Sequence, residues 1–196
     1  DSQGFLPKLM EKMYNDRVHF KQLEFQAKQE YQKTKDPLYQ KEIARCHNIQ
    51  WAKKISLNSA YGAIGNQYFR FYDVRQATAI TSSGQFVIQY IEKQVNKYMN
   101  EILQTKDQVD YIVASDTDSI YLTLDKLVDK VCKDKTKEQK LNFVDKVATQ
   151  KIEPFIEKCF KELADYTNAF DQKMVMKREV IADKGIWTAK KRYMLN

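Results

Sequence analysis

The stretch that decides the fold class is Val109-Asp-Tyr-Ile-Val-Ala-Ser-Asp116-Thr-Asp118-Ser-Ile-Tyr121-Leu-Thr-Leu124. Apolar and aromatic residues on both sides of its Asp-Thr-Asp centre predict two antiparallel strands, 109–114 and 119–124, joined by a turn. The two carboxylates then lie two residues apart at the tip of a hairpin. Like charges this close are unfavourable unless a cation neutralises them, and carboxylate oxygens suit Mg²⁺. The alternative is an ordinary polar turn, in which Asp and Ser are common.

Two long helices are predicted before this hairpin. Helix-forming residues continue from about Pro7 to Thr34, which predicts one helix about 40 Å long at 1.5 Å per residue. Lys35-Asp36-Pro37 ends that helix, because proline disfavours a helical predecessor and Asp suits a cap. A second helix is predicted from about Leu38 to Tyr61, ending near Gly62. The short link between them predicts an antiparallel helical hairpin.

The rest of the chain alternates between helix and strand patterns. A third helix is predicted from about Val74 to Leu103, and a fourth from about Glu138 to Thr167 that Pro154 bends or divides. Alternating residues from Met174 to Leu195 predict two more strands. One face of the third helix is expected to carry Phe86, Tyr90, Val95 and Met99. The fold class is therefore α+β: an antiparallel helical hairpin attached to a domain with an antiparallel β-sheet packed on helices.

The charge of the chain is unevenly distributed. The 196 residues carry a formal net charge of +7. Residues 1–62 carry net +4, residues 173–196 carry net +5, and the stretch between them carries −2. Basic ends around a slightly acidic middle suit a polyanion held near a carboxylate site. Lysine-rich helices that simply expose solvated faces explain the same distribution equally well.

Composition also excludes several classes of protein. No apolar run is long enough to cross a bilayer, and no basic-then-apolar leader opens the chain. The three cysteines are widely spaced and form no C-x-x-C pair, so we expect reduced thiols and neither a disulfide frame nor a zinc site. These features predict a cytoplasmic protein with no membrane partner.

Two polar stripes are predicted on the helical hairpin. Lys54, Asn58 and Tyr61 follow helical spacing and share one face of the second helix. Arg17 and Lys21, at i and i+4, form a cationic stripe on the first helix, and both side chains suit phosphate oxygens. By spacing alone, each stripe is better explained by a solvated helix face than by a ligand site.

Several motifs in order resemble the family B (alpha-like) DNA polymerases, and among them those of T-even-like bacteriophages. The motifs are K-x-x-x-N-S-x-Y-G at Lys54–Gly62, Y-D-x-R-x-A-T-A-I-T at Tyr72–Thr81, D-T-D-S-I-Y at Asp116–Tyr121, Arg178-Glu179, and W-T-A-K-K-R-Y at Trp187–Tyr193. The resemblance implies that residues 1–65 are the fingers and residues 66–196 a partial palm. It also implies two-metal phosphoryl transfer from a dNTP to a primer 3′-hydroxyl.

The same resemblance implies a role for each matched residue. Asp118 would be a direct ligand of two Mg²⁺ ions, with Asp116 beside it and Glu179 near the metals on a neighbouring strand. The incoming dNTP would be held by Arg17, Lys21, Lys54 and Asn58, with Tyr61 and Gly62 against the nascent base pair. The primer–template duplex would be tracked by Lys190, Lys191, Arg192 and Tyr193, although a K-K-R cluster also suits a solubilising patch.

One part of the family pattern is not found in the chain. The family needs a second metal-binding aspartate in a D-x-x-S-L-Y-P segment, and the nearest string, Asp36–Tyr39, lacks the serine and the proline. The exonuclease and the thumb are also not matched. We therefore expect the chain alone to be inactive and to need the remaining segments of the polymerase, with primer–template DNA, dNTP and a sliding clamp as further partners. The alternatives are a catalytically dead DNA- or nucleotide-binding fragment, one subunit of a split polymerase, and a non-polymerase helical interaction module.

Overall fold

The computed structural model describes residues 3–106 and 108–196 and confirms the α+β class. Its elements are α1 (Phe5–Thr34), α2 (Pro37–Ile64), α3 (Val74–Leu103), β1 (Ile112–Asp116), β2 (Ser119–Leu122), α4 (Asp125–Val131), α5 (Lys137–Val147), a π-helical segment (Ala148–Ile152), α6 (Glu153–Tyr166), β3 (Gly185–Ala189) and β4 (Arg192–Leu195). The chain divides into two compact units, Asp1–Thr81 and Ser82–Asn196. Among the described helices, none combines the length and the hydropathy needed to cross a membrane.

The link between α1 and α2 is only two residues long. Lys35 ends α1 in the left-handed region (φ 57°), and its N–H donates to the carbonyl of Tyr31. The next residue, Asp36, caps α2 by accepting a hydrogen bond from the N–H of Leu38 at 2.9 Å. Pro37 follows at the start of α2, where its missing N–H costs nothing. The residue that ends α1 and the residue that caps α2 are therefore adjacent, as the sequence predicts.

Polar contacts fix the antiparallel register of α1 against α2. Lys53 Nζ lies 2.8 Å from Asp16 Oδ2, and the amide of Gln40 donates to the hydroxyl of Tyr31 at 2.6 Å. Between these levels the imidazole of His47 lies 3.3 Å from a carboxylate oxygen of Glu24. Few side chains of this hairpin are buried; on α1 and α2 they are Glu24, Ala27, Cys46 and Ile64. The hairpin is thus held together largely by polar cross-links.

The core of the second unit lies between α3 and α6. Ile91, Val95, Met99 and Leu103 recur every fourth residue along α3 and are buried. They pack with buried residues of the strand region, of the π-helical segment and of α6, namely Tyr111, Ile152, Ile156, Cys159 and Phe160. Val95 and Met99 therefore lie where the sequence predicts and Tyr90 packs at the edge, whereas Phe86 is 49% exposed.

The four strands form two separate antiparallel hairpins in the described residues and no single sheet. In each hairpin a two-residue turn joins the strands: Asp116 pairs with Ser119, and Ala189 pairs with Arg192. The predicted strands in 174–195 are found only from Gly185 onward. Asp183 and Lys184 exchange backbone hydrogen bonds with Asn196, just beyond the ends of β3 and β4. Residues 174–182 have the alternating pattern but no ladder partner among the described residues, and contacts of Arg178 with Asp145 and Glu153 hold this segment instead.

A π-helical segment joins α5 to α6 where the sequence predicts a bend or a break. Pro154 lacks an N–H and its ring would clash with a carbonyl one helical turn earlier. The wider winding over Ala148–Ile152 is followed directly by α6, which has Pro154 in its first turn. The helix therefore continues past the proline with an altered winding.

Candidate active site and nucleic-acid surface

The Asp-Thr-Asp turn has the constrained geometry of a built site. Thr117 has φ 53°, a region that β-branched residues rarely adopt and that costs about 1–3 kcal/mol. Its hydroxyl donates to Oδ1 of Asp116 at 3.0 Å, and the hydroxyl of Ser119 donates to the carbonyl of Asp116 at 3.1 Å. Asp118 is exposed at the tip. The turn therefore presents Asp118 to solvent and braces Asp116.

A basic turn lies against the Asp-Thr-Asp turn. Lys190 and Lys191 are the two turn residues between β3 and β4, and Lys191 also has a left-handed backbone (φ 61°). Nζ of Lys191 lies 3.8 Å from Oδ2 of Asp116. A turn from residues 116–119 and a turn from residues 189–192, far apart in sequence, are thus brought together by an ion pair.

Three aromatic rings join the two β-hairpins. Tyr121 of β2 lies edge-on to Trp187 of β3 and to Tyr193 of β4, with ring centroids 5.4 and 5.2 Å apart. Trp187 and Tyr193 stack at 6.3 Å on the second hairpin. Such offset and edge-to-face pairs contribute about 0.5–1.5 kcal/mol each beyond the area they bury. This aromatic cluster holds the two turns in a defined relative position.

An open cleft of about 230 Å³ lies between the hairpins. Its walls include Asp116, Lys191 and the aromatic cluster. The indole Nε1 of Trp187 is buried without a hydrogen-bond partner in the described residues. A hydrogen bond with Tyr121, together with the charges of Asp116 and Glu179, raises the pKa of Tyr193. The cleft is therefore lined by two lysines, Lys190 and Lys191, with carboxylates nearby and a phenol that stays protonated at neutral pH.

Glu179 reaches the neighbourhood of this cleft by a different route from the one predicted. It lies in an irregular segment, so the prediction that it sits on a strand is wrong. The preceding residue, Arg178, anchors that segment: its guanidinium pairs with Asp145 at 2.5 Å, and its N–H donates to Glu153 at 2.8 Å. The charge of Glu179 is a lesser cause of the raised pKa of Tyr193, after Tyr121, burial and Asp116.

The donor set at the turn fits part of a magnesium site. Asp116 and Asp118 supply carboxylate oxygens, and Mg²⁺ is commonly held by one or two carboxylates together with substrate phosphates. Across residues 3–106 and 108–196, no group of three or more His, Cys, Asp or Glu side chains is arranged to hold a metal ion. The turn therefore offers two ligands, and the remaining ligands would have to come from elsewhere.

The residues predicted to bind the nucleotide lie in the first unit. Arg17 on α1 is half-buried, and its Nε is buried without a hydrogen-bond partner in the described residues. The Asp16–Lys53 ion pair sets the next residues of each helix, Arg17 and Lys54, at the same level of the hairpin. The remaining predicted residues are all exposed; these are Lys21, Asn58, Tyr61 and Gly62.

Sequence reasoning missed some residues that shape these surfaces. Trp51 lies under Lys54, whose Nζ is 5.0 Å from the centre of the indole ring. The i, i+3 spacing of these two residues on α2 is a signal that could have indicated this contact. Asp145 and Glu153, which hold Arg178, lie outside every motif, and no local pattern points to them.

Comparison with known proteins identifies the family. The model of "DNA polymerase family B" matches residues 1–194. The chain belongs to DNA polymerase family B. Two curated relatives named "DNA-directed DNA polymerase" are each 45% identical to it, from Escherichia phage RB69 over 74% of the chain and from Enterobacteria phage T4 over 75%. The DNA polymerase alpha catalytic subunit of Xenopus laevis is 29% identical over 61% of the chain.

The matched region is a small part of these relatives. The chain spans 17% of the length of each phage polymerase and 7% of the Xenopus subunit. It nevertheless carries both the carboxylate turn and the basic turn.

Proposed function

We propose that this family B chain is the fingers and partial palm of a DNA-templated DNA polymerase, which transfers a nucleotide from a dNTP to a primer 3′-hydroxyl. The observation that carries the proposal is the approach of Lys191 to Asp116, at 3.8 Å, across the cleft between the two hairpins. A carboxylate turn serves the reacting phosphate, and a basic turn beside it serves the duplex backbone.

The carboxylates would hold Mg²⁺, with Asp118 as the direct ligand and Asp116 supporting it. Bound Mg²⁺ would activate the 3′-hydroxyl and stabilise the leaving pyrophosphate, as in other two-metal sites. The protein orients both carboxylates through the constrained turn at Thr117. Glu179 adds negative charge near the same place and is kept there by Arg178.

The other predicted residues divide between the two substrates. Arg17, Lys21, Lys54 and Asn58 would bind the triphosphate, and Tyr61 and Gly62 would face the nascent base pair. A Cβ added at Gly62 would meet no atom within 4 Å, which supports an open surface there. Lys190, Lys191, Arg192 and Tyr193 would follow the primer–template backbone.

The whole enzyme would have further partners. We infer that it needs the remaining polymerase segments, including the second metal-binding aspartate, and that a sliding clamp assists it in the cytoplasm of the host cell. The presence of only two acidic ligands at the turn favours a second candidate function: the chain by itself binds DNA or nucleotide without catalysing transfer, as one part of a split polymerase would.

Primer extension tests the proposal. A hybrid in which this chain replaces the matched segment of the phage T4 polymerase is expected to extend a primer with Mg²⁺, whereas the chain alone is not. Asp118→Asn in the hybrid should abolish extension but leave duplex binding intact. A folded Asp118→Asn hybrid that extends primers at the parent rate would contradict the assignment. Extension by the chain alone would contradict its incompleteness.

A further inference from the structure

The ion pair between Lys191 and Asp116 joins two groups to which the proposed function gives different ligands. The ammonium of Lys191 would bind a duplex phosphate, and the carboxylate of Asp116 would support a divalent cation. Without either ligand the two groups neutralise each other at 3.8 Å. Lys191 therefore occupies the place beside Asp116 that the cation would take, and Asp116 occupies the place beside Lys191 that the phosphate would take.

The pairing is selective within each turn. Lys190, the neighbouring turn residue, has no ion pair with an acidic side chain in the described residues, and neither does Asp118. Lys191, which adopts the left-handed conformation, is the lysine of this turn that faces the carboxylate of Asp116. The contacts of Tyr121 with Trp187 and Tyr193 keep the two turns opposed. Lys190 is therefore a matched control for Lys191, and Asp118 is a matched control for Asp116.

From this geometry we infer that Lys191 acts as a replaceable counter-ion of Asp116, which duplex phosphates remove when DNA binds. Duplex binding then frees Asp116 for a divalent cation, and cation binding frees Lys191 for a phosphate. Because binding linkage is reciprocal, each ligand strengthens the binding of the other by the same factor. The inference rests on the proposed function, since it needs a duplex at the basic turn.

The expected coupling is modest. Both side chains are substantially exposed, 66% for Lys191 and 34% for Asp116. An exposed ion pair changes a binding constant by about 2- to 5-fold. An effect of this size is measurable when a matched charge change is made beside it.

The first experiment measures duplex affinity of the full chain by fluorescence anisotropy in EDTA, with no divalent cation present. Asp116→Asn should tighten duplex binding about 2- to 5-fold more than Asp118→Asn, which removes the same charge from the same turn. In a Lys191→Gln background this difference should vanish. Equal effects of Asp116→Asn and Asp118→Asn in a chain that binds duplex would overturn this inference alone. A folded chain that binds no duplex would overturn this inference and also the second candidate function, DNA binding by the chain alone.

The second experiment measures Mn²⁺ binding to the DNA-free chain by electron paramagnetic resonance. Lys191→Gln should tighten Mn²⁺ binding about 2- to 5-fold more than Lys190→Gln, the matched loss of one positive charge. Circular dichroism confirms that each variant keeps its helices. Identical Mn²⁺ affinities for the two lysine variants would overturn the exchange between ammonium and metal.

Discussion

Tyr121 lies edge-on to the ring of Tyr193, with ring centroids 5.2 Å apart, so the strand that follows the Asp-Thr-Asp turn is tied to the strand that follows the basic turn. The hydrogen bond with Tyr121 is the largest cause of the raised pKa of Tyr193, ahead of the nearby carboxylate charges. The pKa of Tyr193 therefore depends on how closely the two hairpins approach each other.

Tyr121→Phe should lower the pKa of Tyr193 toward the ordinary tyrosine value, because the ring contacts remain while the hydrogen bond is lost. The measurement is the pH titration of 3-fluorotyrosine-labelled chain by ¹⁹F NMR. Tyr98→Phe is the control, since Tyr98 stacks on Phe155 away from the cleft. An unchanged titration of Tyr193 would mean that Tyr121 does not hold the second hairpin.

Gly185→Ala should destabilise the chain, since a Cβ there would lie 2.6 Å from two indole carbons of Trp187. The aromatic cluster leaves the indole little room to move, so the expected cost is about 1–3 kcal/mol. Gly84→Ala is the matched control. Gly84 lies in α3, and a Cβ added there would have no other side chain within 4 Å, so the substitution should stabilise the helix by about 0.5–1 kcal/mol. Thermal unfolding of both variants measures the difference, and equal shifts would disprove tight packing at Gly185.

Glu24→Gln should destabilise the helical hairpin at neutral pH by about 1–3 kcal/mol, because the buried carboxylate accepts hydrogen bonds from Lys28 and His47. The hydrogen bond from Lys28 is the main reason that the pKa of Glu24 lies below its unfolded value of 4.5. The carboxylate therefore stabilises the folded state above pH 4.5, and this stability is lost as the pH falls through the lower folded pKa.

The corresponding measurement is the free energy of unfolding of both proteins between pH 7 and pH 3. The gap between wild type and Glu24→Gln should narrow below pH 4.5. Glu30→Gln, in an exposed pair with Lys33, should show almost no effect at any pH. A gap that stays constant across this range would show that the charge of Glu24 is not what stabilises the hairpin.

Lys54→Ala in the hybrid polymerase should mainly raise the dNTP concentration needed for half-maximal extension. Loss of one charge-assisted phosphate contact costs about 1.5–3 kcal/mol, or roughly 10- to 150-fold. Lys41→Ala, an exposed lysine elsewhere on α2, should leave the dNTP requirement unchanged. If both variants behave alike, Lys54 does not bind the triphosphate.

Lys191→Ala should weaken duplex binding on all sequences alike, because a phosphate contact carries no sequence information. Loss of one contact should flatten the salt dependence of duplex affinity by about one unit in the log–log slope. Lys21→Ala should leave that slope unchanged, since Lys21 is assigned to the dNTP. Binding at several salt concentrations measures both slopes. The opposite pattern would exchange the roles of the two basic regions.

Local signals were sufficient for most of the secondary structure. Helices α1 to α3 and the hairpin from β1 to β2 follow from periodicity, caps and turn residues, all of which act over a few positions. The prediction of a strand around Glu179 was wrong because alternation of apolar and polar residues does not indicate whether a second strand is available to pair with it. The prediction for Phe86 failed because, at 100° per residue, its position on α3 lies about 140° from Ile91 and 180° from Val95, on the face opposite the buried stripe.

The sequence predicts each of the two turns of the candidate site but not the contact between them. The sequence indicates that Asp116 and Asp118 share a turn and that Lys190 and Lys191 are clustered. It does not indicate which lysine meets which aspartate, because that depends on two hairpins approaching across about 75 residues of chain. The anchoring of Arg178 by Asp145 and Glu153 is hidden for the same reason.

The π-helical segment has a consequence for insertions and deletions in this part of the chain. Each residue of an α-helix turns its successors by about 100°. A π-helical turn holds about one residue more than an α-helical turn, so removing one residue from Ala148–Ile152 and restoring ordinary winding would leave α5 and α6 nearly in register. Removing one residue from α5 or α6 with the π segment kept would instead rotate the two helices by about 100°. Asp145 lies on one side of the segment and Glu153 on the other, and both hold Arg178. A deletion of a single residue there would therefore keep both carboxylates facing Arg178, whereas a deletion of Lys146 or Val147 with the π segment kept would separate them and release Arg178, even though no residue that contacts it had been changed.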